Sequence, residues 1–293
     1  MKETFDLNKD AKARGVLLVA HRGVWGGNIP PNTIAAYDTA LAQGADMIEV
    51  DLDMTSDGRL VIFHPQMERA LLGWNGRVSE HPWSFVKQLR YQNIDDAPTP
   101  YGLCTFDEVL ERFKGRCYLN IDKFWNHPAE IAAAIRDHGM ADQCVVKTGL
   151  NTQVLSIMEE YAADMPFLAI VRNEKDLRVI RRRKLRHVGV EALFDSLESP
   201  FATREWIESQ HKAGQVCWAN AIIYDYKAQL VAGRSDDMAT AGNDPEGSWG
   251  WLADLGYDLI QTDWLLSCGH FLERTGRRRP LCSPCGIMDC TNT

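Results

Sequence analysis

Apolar residues come in short blocks along this chain, and the residues that close each block are charged side chains or imidazoles. The first block, Val16-Leu17-Leu18-Val19-Ala20, ends in His21-Arg22-Gly23. The second is Met47-Ile48-Glu49-Val50-Asp51, and the third, Leu60-Val61-Ile62-Phe63, ends in His64. Blocks of this length bounded by turn residues predict buried strands of a parallel sheet. Five more follow at 117–123, 144–147, 167–171, 216–220 and 259–263. Helical stretches lie between them at 34–42, 106–113, 128–138 and 153–162, the first capped by Asn32 or Thr33 and ending near Gly44. Ser56-Asp57-Gly58-Arg59 is a turn, so the second and third strands form either a hairpin or two barrel strands with a very short link.

Eight strands alternating with helices predict a closed (β/α)8 TIM barrel, with an open doubly wound sheet as the competitor. The absence of Gly-x-Gly-x-x-Gly after the first strand weighs against a dinucleotide fold. The expected organisation is one barrel over 1–276 and a Cys-containing tail over 277–293. An irregular insertion at about 65–100, rich in Trp and Pro, follows the third strand, and loops of that length are usually functional.

A hydrophobic content of 45% and a charged content of 25% are those of a soluble globular protein. The formal net charge of -8 argues against nucleic acid as the main partner, because a basic face would be needed to displace counterions. A small phosphate ester needs only a local positive pocket. The start of the chain is polar, and no apolar run approaches the ~20 residues that cross a bilayer. A cytoplasmic protein without stable membrane insertion is therefore expected. Cys282, Cys285 and Cys290 cluster in the tail. With one obvious ligand pair they read as reduced thiols in preference to a zinc knuckle or a tail disulfide.

Strand ends are where α/β folds gather their chemistry. Glu49 and Asp51 are two apart, so strand alternation turns both to one face, the barrel interior. Two carboxylates that close repel unless a cation lies between them. Asp122, at the end of the fourth strand, is the natural third ligand, and an oxygen set favours Mg²⁺ or Ca²⁺ over zinc. His21 and His64 then flank the site, one taking a proton or attacking, the other protonating a leaving group. Arg22 either grips phosphate oxygens in its fork or pairs with a barrel carboxylate. Lys123 and Lys147 are candidate substrate cations, although Lys123 faces inward beside Asp122 only if the strand ends there. Trp218 either borders the pocket or fills the core, with a lean to the pocket. Asp263 has a phosphate-binding or a loop-capping role. Arg181-Arg182-Arg183-Lys184 reads as a solvated helix end.

Ala20-His21-Arg22-Gly23, Pro31-Asn32-Thr33, the run from Gly44 to Asp51, Thr55-Ser56-Asp57-Gly58 and Val61-Ile62-Phe63-His64 together resemble the glycerophosphodiester phosphodiesterase family. The likeness continues through Asn120-Ile121-Asp122-Lys123, Trp218-Ala219-Asn220 and the run from Gly256 to Asp263. The resemblance implies a (β/α)8 barrel that cleaves a phosphodiester with one divalent cation. Carried over by position, Glu49, Asp51 and Asp122 bind the metal, His21 and His64 form the catalytic pair, and Arg22 contacts phosphate. The chain departs from the family pattern at Pro31 and Pro65, where acids are usual, and at Asp122, where a Glu is usual with Lys two residues on. The sicariid-spider-toxin-like phospholipases D, which share the barrel and form a cyclic phosphate, are the second resemblance. A barrel that binds a phosphorylated ligand without turnover is the third alternative.

Overall fold

The computed structural model describes residues 4–225, 227 and 230–280. Strands β1 (Leu17–Ala20), β2 (Met47–Met54), β4 (Tyr118–Asp122), β5 (Cys144–Thr148), β6 (Pro166–Val171), β7 (Arg186–Ala192), β8 (Val216–Asn220) and β9 (Leu259–Thr262) pair in parallel around a ring. The ring closes because β1 pairs with both β2 and β9. Strand β3 (Leu60–Ile62) pairs antiparallel with the far end of β2, Leu52 opposite Ile62, and stands outside the ring. The hairpin alternative therefore holds for the third block. The eighth barrel strand is β7, which the hydrophobic pattern does not reveal.

The reason lies in its sequence, Arg-His-Val-Gly-Val-Glu-Ala, which is no apolar block. Gly189 allows β7 to lie close against β8. A Cβ there would stand 2.6 Å from both the Val216 carbonyl oxygen and a Val216 methyl, nearer than real Cβ atoms approach.

Alternation sorts the strands into two cores. Ile48, Val50, Leu119, Ile121 and Val146 pack outward against the helices. Leu17, Val19, Met47, Tyr118, Val145, Leu168, Val216, Trp218 and Leu259 fill the barrel axis. The helix Leu7–Arg14, started by Asp6 accepting from the Lys9 N–H at 3.1 Å, adds Leu7 and Ala11 to that axial core and plugs the N-terminal end. With that end closed, the polar inward residues of the next layer gather at the C-terminal mouth.

Two carboxylates brace the plugged end by one device. Asp46, just before β2, accepts from the Leu18 N–H at 2.8 Å and pairs with Arg14 and Arg278. Asp258, just before β9, accepts from the Cys217 N–H at 2.7 Å and pairs with His211 at 2.8 Å. Arg278 is fully buried and also donates to the Val16 and Gly44 carbonyls, so the packing of the barrel base reaches that residue.

The hydrogen bond to Asp258 holds the His211 pKa above its usual value, outweighing desolvation. The stability from that pair is complete below the ordinary histidine pKa of about 6.5 and is lost as pH rises through the higher folded value. His211→Gln is expected to flatten the fall of the melting temperature over that interval. An unchanged pH profile would show that the pair contributes nothing, as exposed pairs often do.

The insertion is partly ordered into the helix Glu68–Leu72, a 3-10 turn at Val78–Glu80 and the short helix Trp83–Val86. It has its own small core of Phe63, Leu72, Val78, Val86, Tyr91 and Leu103. Among the described residues no helix is long and apolar enough to cross a membrane. Cys282, Cys285 and Cys290 lie outside the described residues.

Candidate active site

Register sets the acids on one face of the barrel. Asp51 stands beside Asp122, and Glu49 beside Asn120, on neighbouring parallel strands, so all four share the inward face. Asp51 is 1% exposed and Glu49 8%. Each acid has a local partner. Glu49 Oε2 accepts from Gln261 Nε2 at 2.7 Å and faces His21 Nε2 at 3.6 Å. Asp51 Oδ2 accepts from Asn32 Nδ2 at 2.8 Å and lies 3.1 Å from Arg22 Nε. Asp122 pairs with Lys123.

Arg22 thus takes the barrel-carboxylate alternative through its Nε. Asn32 is not the helix cap: it is fully buried and accepts from the Tyr37 hydroxyl at 2.9 Å, so it fixes Asp51 from the outer core. Thr33 caps the helix Ile34–Ala42.

Burial raises the Glu49 pKa to about 7; His21 pulls it down, while Asp51 and Asp122 push it further up. Burial opposes charge on His21 as well, but Glu49 and Asp263 outweigh that and hold its pKa above the usual imidazole value. Burial would also raise Asp122, yet Lys123 and Lys147 keep it below the ordinary carboxylate range.

Three polar atoms on this face have no partner: Asp51 Oδ1 and both the oxygen and the nitrogen of the Asn120 amide, which is fully buried. Leaving a buried polar group unsatisfied costs about 1–3 kcal/mol. Orphaned oxygens beside an acid whose proton is hard to remove match what a hard cation requires. The donor chemistry suits a hard cation: Glu49, Asp51 and Asp122 could hold one, with the Asn120 amide oxygen, which sequence reasoning missed, as a further donor, although the oxygens of the three acids do not all lie within 4.8 Å of one another.

The tightest geometric cluster is elsewhere. Among the described residues, the set of three metal-binding side chains whose donor atoms lie within 4.8 Å of one another is His211, Cys217 and Asp258, at the plugged end. There Asp258 Oδ2 is already bonded to an N–H and an imidazole, and burial pushes the Cys217 thiol well above its usual pKa. A thiol that keeps its proton is a poor ligand. The recurrence of the brace at Asp46, with arginines in place of the imidazole, gives that cluster a structural role.

His21 follows β1 directly. Its Nδ1 meets Asp263 Oδ1 at 2.8 Å. A carboxylate only accepts, so Nδ1 carries the hydrogen and Nε2 faces the acids. Asp263 therefore orients the histidine, a role outside both sequence alternatives. Gly23, in the left-handed region at φ 85°, turns the chain away behind Arg22, and its missing Cβ would fall 2.8 Å from Ala36.

His64 follows β3, and the Phe63 N–H donates to the Asp51 carbonyl at 3.0 Å, which seats His64 beside the same strand. His64 Nδ1 lies 2.8 Å from the Pro65 carbonyl, so its Nδ1 also carries the hydrogen and Nε2 is left for chemistry. Pro65, where the resemblance leads one to expect an acid, thus still fixes the tautomer through its backbone.

The remaining predicted residues separate. β4 ends at Asp122, and Lys123 adopts a left-handed backbone, φ 60°, that folds its amine back onto Asp122. Both residues can therefore serve the mouth. Lys147 is buried, pairs with Glu191 at 2.6 Å and lies 4.0 Å above the Trp218 ring. Burial opposes its charge, yet Glu191 and Glu49 hold its pKa above the usual lysine value. Trp218 is fully buried in the axial core and donates to Asn220 Oδ1, which makes it floor, against the lean toward a pocket wall. Glu191 and Gln261 were missed, Glu191 because its strand was.

Residues 21–219 match the glycerophosphoryl diester phosphodiesterase family. The glycerophosphodiester phosphodiesterase of Caldanaerobacter subterraneus is 40% identical over 174 residues, 57% of this chain and 62% of that protein. That of Bacillus subtilis is 37% identical over 107 residues, 33% of this chain and 36% of that protein. The matches thus span between about a third and three fifths of the length of these curated relatives. In fold, the chain resembles a glycerophosphoryl diester phosphodiesterase from Parabacteroides distasonis, with a TM-score of 0.75, 19% identity and 93% of each chain covered. It also resembles an Oleispira antarctica phosphodiesterase solved in complex with the product sn-glycerol-3-phosphate, with a TM-score of 0.61, 18% identity, and 88% of this chain and 96% of that one covered.

Proposed function

The chain belongs to the glycerophosphoryl diester phosphodiesterase family, and on that premise we propose that it hydrolyses a small glycerophosphodiester to an alcohol and a phosphomonoester at the barrel mouth. The observation that carries this reading is the inward set Glu49, Asp51 and Asp122 with the orphaned Asp51 Oδ1 and Asn120 amide beside it, adjoining a histidine whose tautomer Asp263 sets. A divalent cation held by the three acids would neutralise charge on the phosphoryl oxygens.

In this reading His21 Nε2 takes the proton of the attacking water. The new P–O bond forms as the P–O bond to the alcohol breaks. His64, protonated at Nε2, gives its proton to the departing alkoxide. Lys123 and the outer part of Arg22 offer positive charge to the phosphate. Lys147 keeps Glu191 and the Trp218 floor in place. A cavity of about 450 Å³ next to Pro65, with Asp53, Gln66, Glu68, Arg77 and His127 in its lining, offers room for a small headgroup.

The test is phosphorus NMR of full-length protein incubated with glycerophosphocholine, glycerophosphoethanolamine or glycerophosphoinositol and Mg²⁺ or Ca²⁺. A phosphomonoester signal that chelation abolishes is expected. A cyclic-phosphate product would replace hydrolysis by the lyase reaction. No turnover with any ion would leave a phosphate-binding barrel.

A further inference from the structure

Asp236 lies midway along the long excursion between β8 and β9, folded back on its start; its backbone N–H donates to the Ala221 carbonyl at 2.7 Å. Its side chain is 2% exposed. Three neutral donors converge on it. Trp249 Nε1 and Thr262 Oγ1 reach Oδ1 at 2.8 and 2.7 Å, and the backbone N–H of Asp263 reaches Oδ2 at 2.8 Å. Burial pushes its carboxyl up to about 6 in spite of those three bonds, so the group is kept at a cost.

Fastening the excursion would account for the bond to Trp249. The other two bonds have a different target. They fall on Thr262 and on the amide of Asp263, and Thr262 Oγ1 in turn accepts from the Trp264 N–H at 2.9 Å. Both peptide N–H groups flanking the Asp263 side chain are thereby pinned, and Asp263 Oδ1 is the atom that meets His21 Nδ1.

We propose that Asp236 is a positioning residue for phosphodiester cleavage: by pinning the backbone on either side of Asp263 it fixes the orientation and tautomer of His21. The proposal rests on the catalytic role given to His21 above. Its reach is longer than a single contact, because the same carboxylate ties the β8–β9 excursion to the histidine. No group touching substrate is added; the chain of contacts runs Asp236, Thr262 and Asp263 backbone, Asp263 carboxylate, His21 imidazole.

Asp236→Asn keeps the shape but turns one acceptor into a donor. An amide cannot accept from the Trp249 and Thr262 donors on one side and the Asp263 N–H on the other. The expected kinetic result is a fall in kcat of about 10- to 100-fold, with KM within about twofold. Asp236→Asn combined with Asp263→Asn should be no slower than Asp263→Asn alone, since both act through one contact. Losses that multiply would overturn the proposal.

Nitrogen-15 NMR of the His21 ring supplies a readout independent of turnover. The unsubstituted protein should show a single Nδ1–H tautomer, and Asp236→Asn a mixture. A merely structural Asp236 would lower the melting temperature and leave the tautomer unchanged, and that result would also overturn the proposal. Should Asp236→Asn fail to fold, Thr262→Val breaks the same link at the hydroxyl and is held to the same two readouts. If no glycerophosphodiester is turned over, the functional reading fails, while the ring spectrum still decides whether Asp236 governs His21.

Discussion

His21→Ala is expected to lower kcat for glycerophosphodiester cleavage by about 10²- to 10⁴-fold, the range of general acid–base catalysis, with the barrel still folded. His21 follows β1, and the polar partners of its ring are the carboxylates of Glu49 and Asp263 at the mouth. His64→Ala should cost a comparable factor on a natural substrate. The two part company on a diester whose leaving group is p-nitrophenol. That phenolate departs without a proton, so His64→Ala should regain most of its lost rate, while His21→Ala should stay slow. Equal losses for both variants on both substrates would contradict the assignment of base to His21 and acid to His64.

Glu49→Gln is expected to weaken divalent-ion binding by at least tenfold and to abolish activity at ordinary ion concentrations. Glu49 is the acid that burial and two neighbouring carboxylates make hardest to ionise, and its amide counterpart keeps an acceptor for Gln261. The folded carboxyl holds its proton up to about pH 7, whereas the unfolded chain releases it near the ordinary value of 4.5. Stability of the ion-free protein should therefore fall as pH rises through that window. Glu49→Gln should remove much of this fall, and adding Mg²⁺ or Ca²⁺ to the unsubstituted protein should oppose it. Melting curves at several pH values, with chelator and with ion, measure both effects. A variant as metal-responsive as the parent would remove Glu49 from the ligand set.

These expectations were legible in the chain to unequal degrees. Glu49 and Asp51 interrupt an otherwise apolar strand at a spacing of two, which left alternation no choice about which face they share. The match of Asp122 to Asp51 follows from parallel register once the barrel is assumed. β7 stayed hidden because its inward positions include Gly189 and Glu191, which serve close strand approach and the charge of Lys147 and so interrupt the apolar signal. Trp218 is floor where the pattern leans to wall, because height along a strand, which decides between the two, is not written in alternation. The roles of Asn32, Asp236 and Asp263 depend on contacts across 19 to 242 residues of chain, which no local period encodes.

Two of the three departures from the family pattern have a local counterpart in the structure; the one at Pro31 has none. Pro65 supplies by its carbonyl what a side chain would otherwise supply to His64 Nδ1. Asp122, shorter than the usual Glu, is beside Asp51 by register, and Lys123 reaches it because the strand has ended.

The most direct measurement is a crystal structure of the protein soaked with Mn²⁺ and glycerol 3-phosphate, with the ion located by anomalous scattering. The account predicts one ion held by Glu49, Asp51 and Asp122, with phosphate beside it between His21 and His64. An ion bound instead at His211, Cys217 and Asp258, or phosphate bound away from both histidines, would contradict it.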